Sequence, residues 1–230
     1  MTNPSVFVIG PDYGVSVMFA QARYPVVRSM EEASIHVWTG GADVDPRLYN
    51  ERRLPLTQIH LQRDLHDGLA WNLSRRDHPN ALRVGICRGA QFLNVMSGGK
   101  LWQDIDEHTD NHLVLDKKTG ELIDCTSTHH QQMIPGTGAE VLGVGVMQVG
   151  NAGNFACVSN RKTGAVRKWQ FDGRCDEEDP EVVWYESTNS LCFQPHPEYR
   201  GLPGCTRYFL GLVKNYHEIA QSGVGRVEVA

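Results

Sequence analysis

Short apolar runs alternate with helical stretches through roughly the first 100 residues, the arrangement that builds a parallel α/β sheet. Ser5–Gly10 (SVFVIG) predicts a first strand, closed by Gly10-Pro11. Gly14–Arg23 predicts a helix, and Pro25-Val26-Val27 a short second strand. Ser29 and Glu32 have the Ser-x-x-Glu spacing of a capping box for one or two helical turns. Ile35–Thr39 predicts a third strand, broken by Gly40-Gly41. Over residues 57–77, Leu61, Leu65, Leu69 and Leu73 recur every four positions, with Arg63, Asp64 and Asp67 off their line. That periodicity predicts a helix with the leucine stripe in the core. Leu82–Ile86 predicts a fourth strand and Ala90–Met96 a further helix, ending at Ser97-Gly98-Gly99.

The pattern changes in the second half. Val141–Val149, Glu181–Tyr185 and Ser190–Gln194 are β-like runs between polar, Gly-rich stretches. Asn151–Asp179 is the least regular piece and reads as a hairpin or surface insertion, able to shape a pocket entrance or dock a partner. A solvated hairpin is the plainer reading of its opposed charges, Lys162, Arg167, Lys168 and Arg174 against Asp176–Asp179. Thr206–Gln221 predicts the last helix. A single domain over 1–222 is expected, with 223–230 a loose tail.

Composition narrows the class. The chain has 230 residues, 40% hydrophobic and 21% charged, which fits a globular domain. A net charge of −5 argues against binding nucleic acid through a basic surface. No apolar run approaches the ~18 residues of a membrane helix, and Met1-Thr2-Asn3-Pro4 lacks a basic leader. A soluble cytoplasmic protein is expected. The six cysteines (Cys87, Cys125, Cys157, Cys175, Cys192, Cys205) are dispersed without metal-like spacing and read as reduced thiols. The five tryptophans are scattered and read as core or half-buried.

One of the cysteines stands apart. Val84-Gly85-Ile86-Cys87-Arg88-Gly89 carries a predicted strand into Cys87 and a helix out of it, with glycines at −2 and +2. This is the pattern of a nucleophile elbow. The turn is too tight for bulky neighbours, the helix N-terminus favours thiolate, and the N–H of Arg88 points where an oxyanion would form. Alone, the pattern also fits a cysteine packed in a βα turn. A thiol nucleophile needs a base, and the base an orienter. His196-Pro197-Glu198 offers both, because residues i and i+2 of an extended segment face the same side. An isolated His-Pro-Glu equally fits a surface turn. Cys192, in a strand-like setting, reads as a packed, inert thiol. Asp43 and Asp45 alone are insufficient for a divalent-ion site.

Gly85–Gln91 (GICRGAQ), Gly98–Ile105 (GGKLWQDI) and Gln194–Glu198 (QPHPE) resemble class I glutamine amidotransferase domains. Gly40-Gly41-Ala42-Asp43-Val44-Asp45-Pro46 with Tyr49 and Glu51, the Arg63-Asp64 pair and His129-His130-Gln131 bring the resemblance closer to the γ-glutamyl hydrolase, peptidase C26-like branch. It covers most of the chain, from residue 40 to 198. The resemblance implies a flavodoxin-like α/β three-layer sandwich with a central, mostly parallel sheet and an additional β-rich region in the C-terminal half. It implies a triad of Cys87, His196 and Glu198, and an oxyanion hole from the backbone N–H groups of Gly41 and Arg88. It also implies that Gln91 binds the glutamyl group, with His130 and Gln131 at the rim of the same pocket. An exposed Gln91 on its helix and an exposed His129–Gln131 loop are the plainer alternatives. No metal or organic cofactor is expected. The expected substrate is glutamine or another small γ-glutamyl compound. A separate synthetase partner taking ammonia from a glutaminase, and a non-catalytic binding module, are the alternatives; the oligomeric state stays open.

Overall fold

The structure is a computed structural model that describes residues 3–105, 111–146, 154–159, 166–170 and 179–222, the 154–159 and 166–170 segments as backbone only. Its frame is an eight-stranded sheet in the order β1-β2-β3-β13-β12-β9-β6-β7. β1 (Val6–Ile9), β2 (Ile35–Trp38), β3 (Leu82–Ile86) and β13 (Ser190–Phe193) run parallel. From β13 outward, β12 (Pro180–Tyr185), β9 (Ala139–Val146), β6 (His112–Asp116) and β7 (Leu122–Cys125) pair antiparallel. This is the flavodoxin-like α/β fold with a β-rich C-terminal half. β2, β3 and β13 are buried throughout, as expected of parallel strands covered on both faces.

Alternate residues of each strand feed two cores. Val37, Val84, Ile86 and Phe193 face α1 (Val15–Gln21) and α4 (Pro203–Ser222), packing with Phe19, Phe209 and Val213. Trp38, Val183 and Cys192 face α2 (Leu61–Asp77) and α3 (Arg88–Met96), packing with Trp71, Phe92 and Leu93. Trp184 is also buried and Trp102 half-buried. Burial alone pushes the Cys192 thiol pKa upward, so it is the packed, inert thiol expected.

Several local expectations are corrected. Pro25–Val27 is not a strand; Val26 makes one isolated bridge to Val6. The Ser29 side chain does not cap the backbone that follows, which makes a single 3-10 turn over Met30–Glu32. The largest correction concerns α2. Leu61, Leu65 and Leu69 are 51%, 65% and 61% exposed, and the buried face is Asp64, Asp67, Ala70, Trp71 and Ser74. Periodicity reports a helix but not which face is inward; here buried Arg88, opposite the helix, pairs with Asp64 and Asp67 and draws the acidic face in.

The 151–179 stretch is a hairpin where described. β10 (Asn154–Ser159) pairs antiparallel with β11 (Val166–Gln170) and with β5 (Asp104–Ile105). Lys162, Arg174 and Asp176–Glu178 lie outside the described residues, as do Cys175 and the 223–230 tail. β4 (Lys100–Trp102) pairs with β8 (Gln132–Ile134) in a small two-stranded sheet. Among the described residues no helix is long and apolar enough to cross a membrane.

Candidate active site

The site forms at the carboxyl ends of adjacent parallel strands, where open α/β sheets generally bind ligands. β3 ends at Ile86, which pairs in register with Phe193 of β13, and the Cys87 N–H donates to the Phe193 carbonyl at 2.9 Å. Cys87 therefore emerges beside the segment that carries His196. Its backbone is strained, with φ 50° and ψ −112°, and α3 begins at the next residue. The two glycines of the elbow have steric causes. A Cβ on Gly85 would lie 2.4 Å from the Gly89 carbonyl oxygen, and one on Gly89 would lie 2.1 Å from the Trp38 carbonyl oxygen. Only hydrogen fits at either position, so α3 closes directly onto β2 and β3.

His196 is held on three sides. Its backbone N–H donates to Thr126 Oγ1 at 2.9 Å, and Thr126 Oγ1 donates back to the His196 carbonyl at 2.8 Å. The imidazole Nδ1 donates to Glu198 Oε1 at 2.7 Å, and the Cys87 side chain lies beside the ring. The Glu198 side chain is fully buried. Burial of His196 opposes its charge, but the bonds to Cys87 and Glu198 outweigh that and raise its pKa to about 11. The sequence-predicted residues Cys87, His196 and Glu198 are thus brought together.

Gly40 lies against this pair: a Cβ there would sit 3.1 Å from His196 Cε1 and 3.9 Å from Cys87 Cβ. The neighbouring Gly41 and the Arg88 backbone share one brace. Arg88 is buried, ion-paired through its guanidinium to Asp64 and Asp67 of α2, and donates from Nε to the Ala42 carbonyl at 3.2 Å. Arg63 pairs with Asp67 at 2.9 Å and donates to the carbonyls of Thr39 and Gly40 at 3.1 and 3.4 Å. Asp67 therefore joins the loop around Gly41 to the residue after Cys87. Sequence reasoning missed this role of Asp67 and the Arg88 side chain. The usable signal was the pair of carboxylates three residues apart on α2, facing an arginine in the elbow.

The residues expected to bind substrate are placed as follows. Gln91 is buried one turn beyond Cys87, and its Nε2 donates to the Gln131 carbonyl at 3.0 Å and to Gln194 Oε1 at 3.3 Å. Gln131 is also buried. The His130 side chain is 41% exposed, with Nε2 2.9 Å from Asp43 Oδ1 and Nδ1 3.6 Å from Asp104 Oδ1. The hydrogen bond to Asp43 raises its pKa against the effect of burial, and Asp104 adds to it. The His130 carbonyl accepts from Ile105 of β5, so the β10–β11 hairpin adjoins this edge. Asp43 and Asp45 diverge: Asp43 serves His130 and the Gln58 N–H, and Asp45 binds Arg47. Gln103 is structural, tying down Arg52, Leu54 and Thr57.

Comparison with known proteins agrees with this architecture. A glutamine amidotransferase of Thermotoga maritima superposes with a TM-score of 0.55 at 11% identity, covering 98% of this chain and 91% of that one. A chain of PurLQS from the same organism gives 0.58 at 15% identity, covering 93% and 100%. The fold is therefore that of the class I glutamine amidotransferases. In sequence, residues 12–156 match the Peptidase C26 family, and the chain belongs to that family. Protein NtpR of Enterococcus hirae is 40% identical over 70 residues, 30% of this chain and 28% of that protein. The glutamine amidotransferase-like protein YvdE of Lactococcus lactis is 35% identical over 95 residues, 41% of this chain and 38% of that protein. The matched stretch is thus well under half the length of either relative.

Proposed function

We propose that this protein is a cysteine-dependent amide hydrolase that cleaves the γ-amide bond of a γ-glutamyl compound. The observation that carries the reading is the gathering of Cys87, on a strained strand-to-helix turn, beside a His196 that is hydrogen-bonded to Glu198. A cysteine paired with histidine reacts as thiolate and imidazolium. The Cys87 thiolate attacks the γ-carbonyl carbon. The N–H groups of Gly41 and Arg88 receive the oxyanion, each such donor being worth ~3 kcal/mol in general. His196 gives its proton to the departing nitrogen, the amine leaves, and a γ-glutamyl thioester remains on Cys87. Water, losing a proton to His196, then releases glutamate and restores the Cys87 thiolate and the His196 imidazolium. Glu198 keeps the imidazole in the required orientation throughout. Gln91, Gln131 and His130 are assigned to the substrate pocket, His130 at its edge. The residues form one domain over 1–222, and no metal or organic cofactor takes part.

A second reading is a glutaminase subunit that passes ammonia to a separate synthetase. It is favoured by the similarity in fold to a glutamine amidotransferase and to PurLQS. Both readings place the protein in the cytoplasm with a small-molecule substrate. Product release from a panel of glutamine, γ-glutamyl amines and γ-glutamyl peptides separates them, using the natural chain and Cys87→Ala. Turnover of a conjugate that the substitution abolishes supports the hydrolase. Glutamine cleavage appearing only with a synthetase added supports the subunit. Failure of a glutamine-analogue electrophile to label Cys87 in folded protein would support a binding module and sink both.

A further inference from the structure

His196 has one ring edge committed to Glu198 by a hydrogen bond, and the Cys87 side chain lies beside the ring. A hydrogen bond at one ring edge leaves the ring free to rock. One face is covered by Tyr199, whose ring centroid lies 4.4 Å from that of His196 with the planes only 12° apart. The stack is set locally: the Tyr199 N–H donates to the His196 carbonyl at 3.3 Å, and Thr126 clamps the His196 backbone from the other side. Tyr199 is 41% exposed, so burying its own ring does not explain the placement.

We propose that Tyr199 is a positioning residue for His196, stopping the imidazole from rocking and favouring its cationic form through its π-face. The inference rests on the proposed function, in which His196 carries the proton. An aromatic face within about 6 Å of a cation attracts it, and Tyr199 lies well inside that limit. The titratable groups that face His196 are Cys87 from the elbow and Glu198 and Tyr199 from its own segment. Tyr199 is the one that acts through its ring face rather than through a hydrogen bond. Phenylalanine offers the same face, so the effect requires the ring and not the hydroxyl.

The test is a histidine NMR titration of the full chain in a Cys87→Ala background, which removes the sulfur's pull on His196 and lowers its titration. His196→Asn assigns the signal. Tyr199→Phe is expected to keep the parent titration. Tyr199→Leu is expected to move His196 to lower pH by about half to one unit. In protein that retains Cys87, the alkaline limb of turnover should move the same way for Tyr199→Leu and be restored in Tyr199→Phe. An unshifted His196 in folded Tyr199→Leu protein overturns the proposal. Absence of turnover in the natural chain would instead count against the proposed function, and the titration would still decide the role of Tyr199.

Discussion

Arg88 begins the helix after Cys87, yet its guanidinium is anchored on Asp67, a residue of α2 that Arg63 also holds. The brace is costly. Burial raises the Asp64 pKa although Arg88 lies beside it, and burial lowers that of Arg63 although Asp67 does. Where desolvation exceeds the attraction, an ion pair is a poor source of net stability, and its use is to fix geometry. Here it fixes Ala42, Gly40 and the Arg88 backbone, the surroundings of both proposed oxyanion donors. Asp67→Asn leaves buried Arg88 and half-buried Arg63 short of charge and is expected to cost about 3–5 kcal/mol of stability. Urea unfolding measures it. A loss under about 0.5 kcal/mol, the size of a surface change, would mean the network is slack.

The elbow glycines and a helical glycine should respond in opposite directions. Gly85→Ala and Gly89→Ala drive a methyl into backbone atoms and should lower stability by at least the ~1–3 kcal/mol typical of overpacking. Gly68 lies inside α2 with open space where a Cβ would go, so Gly68→Ala should gain about 0.5–1 kcal/mol. Thermal unfolding of the three variants checks the set; equal shifts would sink the steric account.

Gly40 allows a gentler test of the site. A methyl there reaches 3.1 Å from His196 Cε1, a contact that requires a shift of a few tenths of an ångström. The expected outcome for Gly40→Ala is a folded protein with turnover reduced about ten- to hundredfold, since small misplacements of reacting groups are costly. Undiminished turnover would show that His196 has room to spare.

Much of the candidate site was legible because its residues are contiguous in short motifs: Gly85–Gly89 encodes the turn, and His196-Pro197-Glu198 puts the proposed base and its proposed orienter two residues apart. The Arg63–Asp67–Arg88 brace joins residues 25 or fewer positions apart across two elements, so no single window displays it. α2 misled for the same reason. Four regular leucines outrank two aspartates in a hydrophobicity pattern, but burial here follows the charges opposite the helix. Leu65→Gln therefore should change stability by no more than about 0.5 kcal/mol, where a core leucine would cost several. A large loss on urea unfolding would return Leu65 to the core.

His196 and Glu198 make a pH-dependent contribution of definite sign. Histidine in an unfolded chain titrates near 6.5, and folding raises His196 to about 11. The folded state therefore gains from the proton fully below about pH 6.5 and loses that gain as pH rises through 11. Glu198 supplies part of the upward pull, after Cys87. Glu198→Gln removes a charge-assisted bond worth about 1.5–3 kcal/mol, so the natural chain should exceed this variant by that margin at pH 6 and by less at pH 10. In the same variant His196 releases its proton earlier, and the alkaline limb of turnover should move to lower pH. Paired urea titrations at the two pH values decide the first point. A margin that is constant, or that grows with pH, would mean the Glu198 bond does not favour the imidazolium, and the proton assigned to His196 would need another holder.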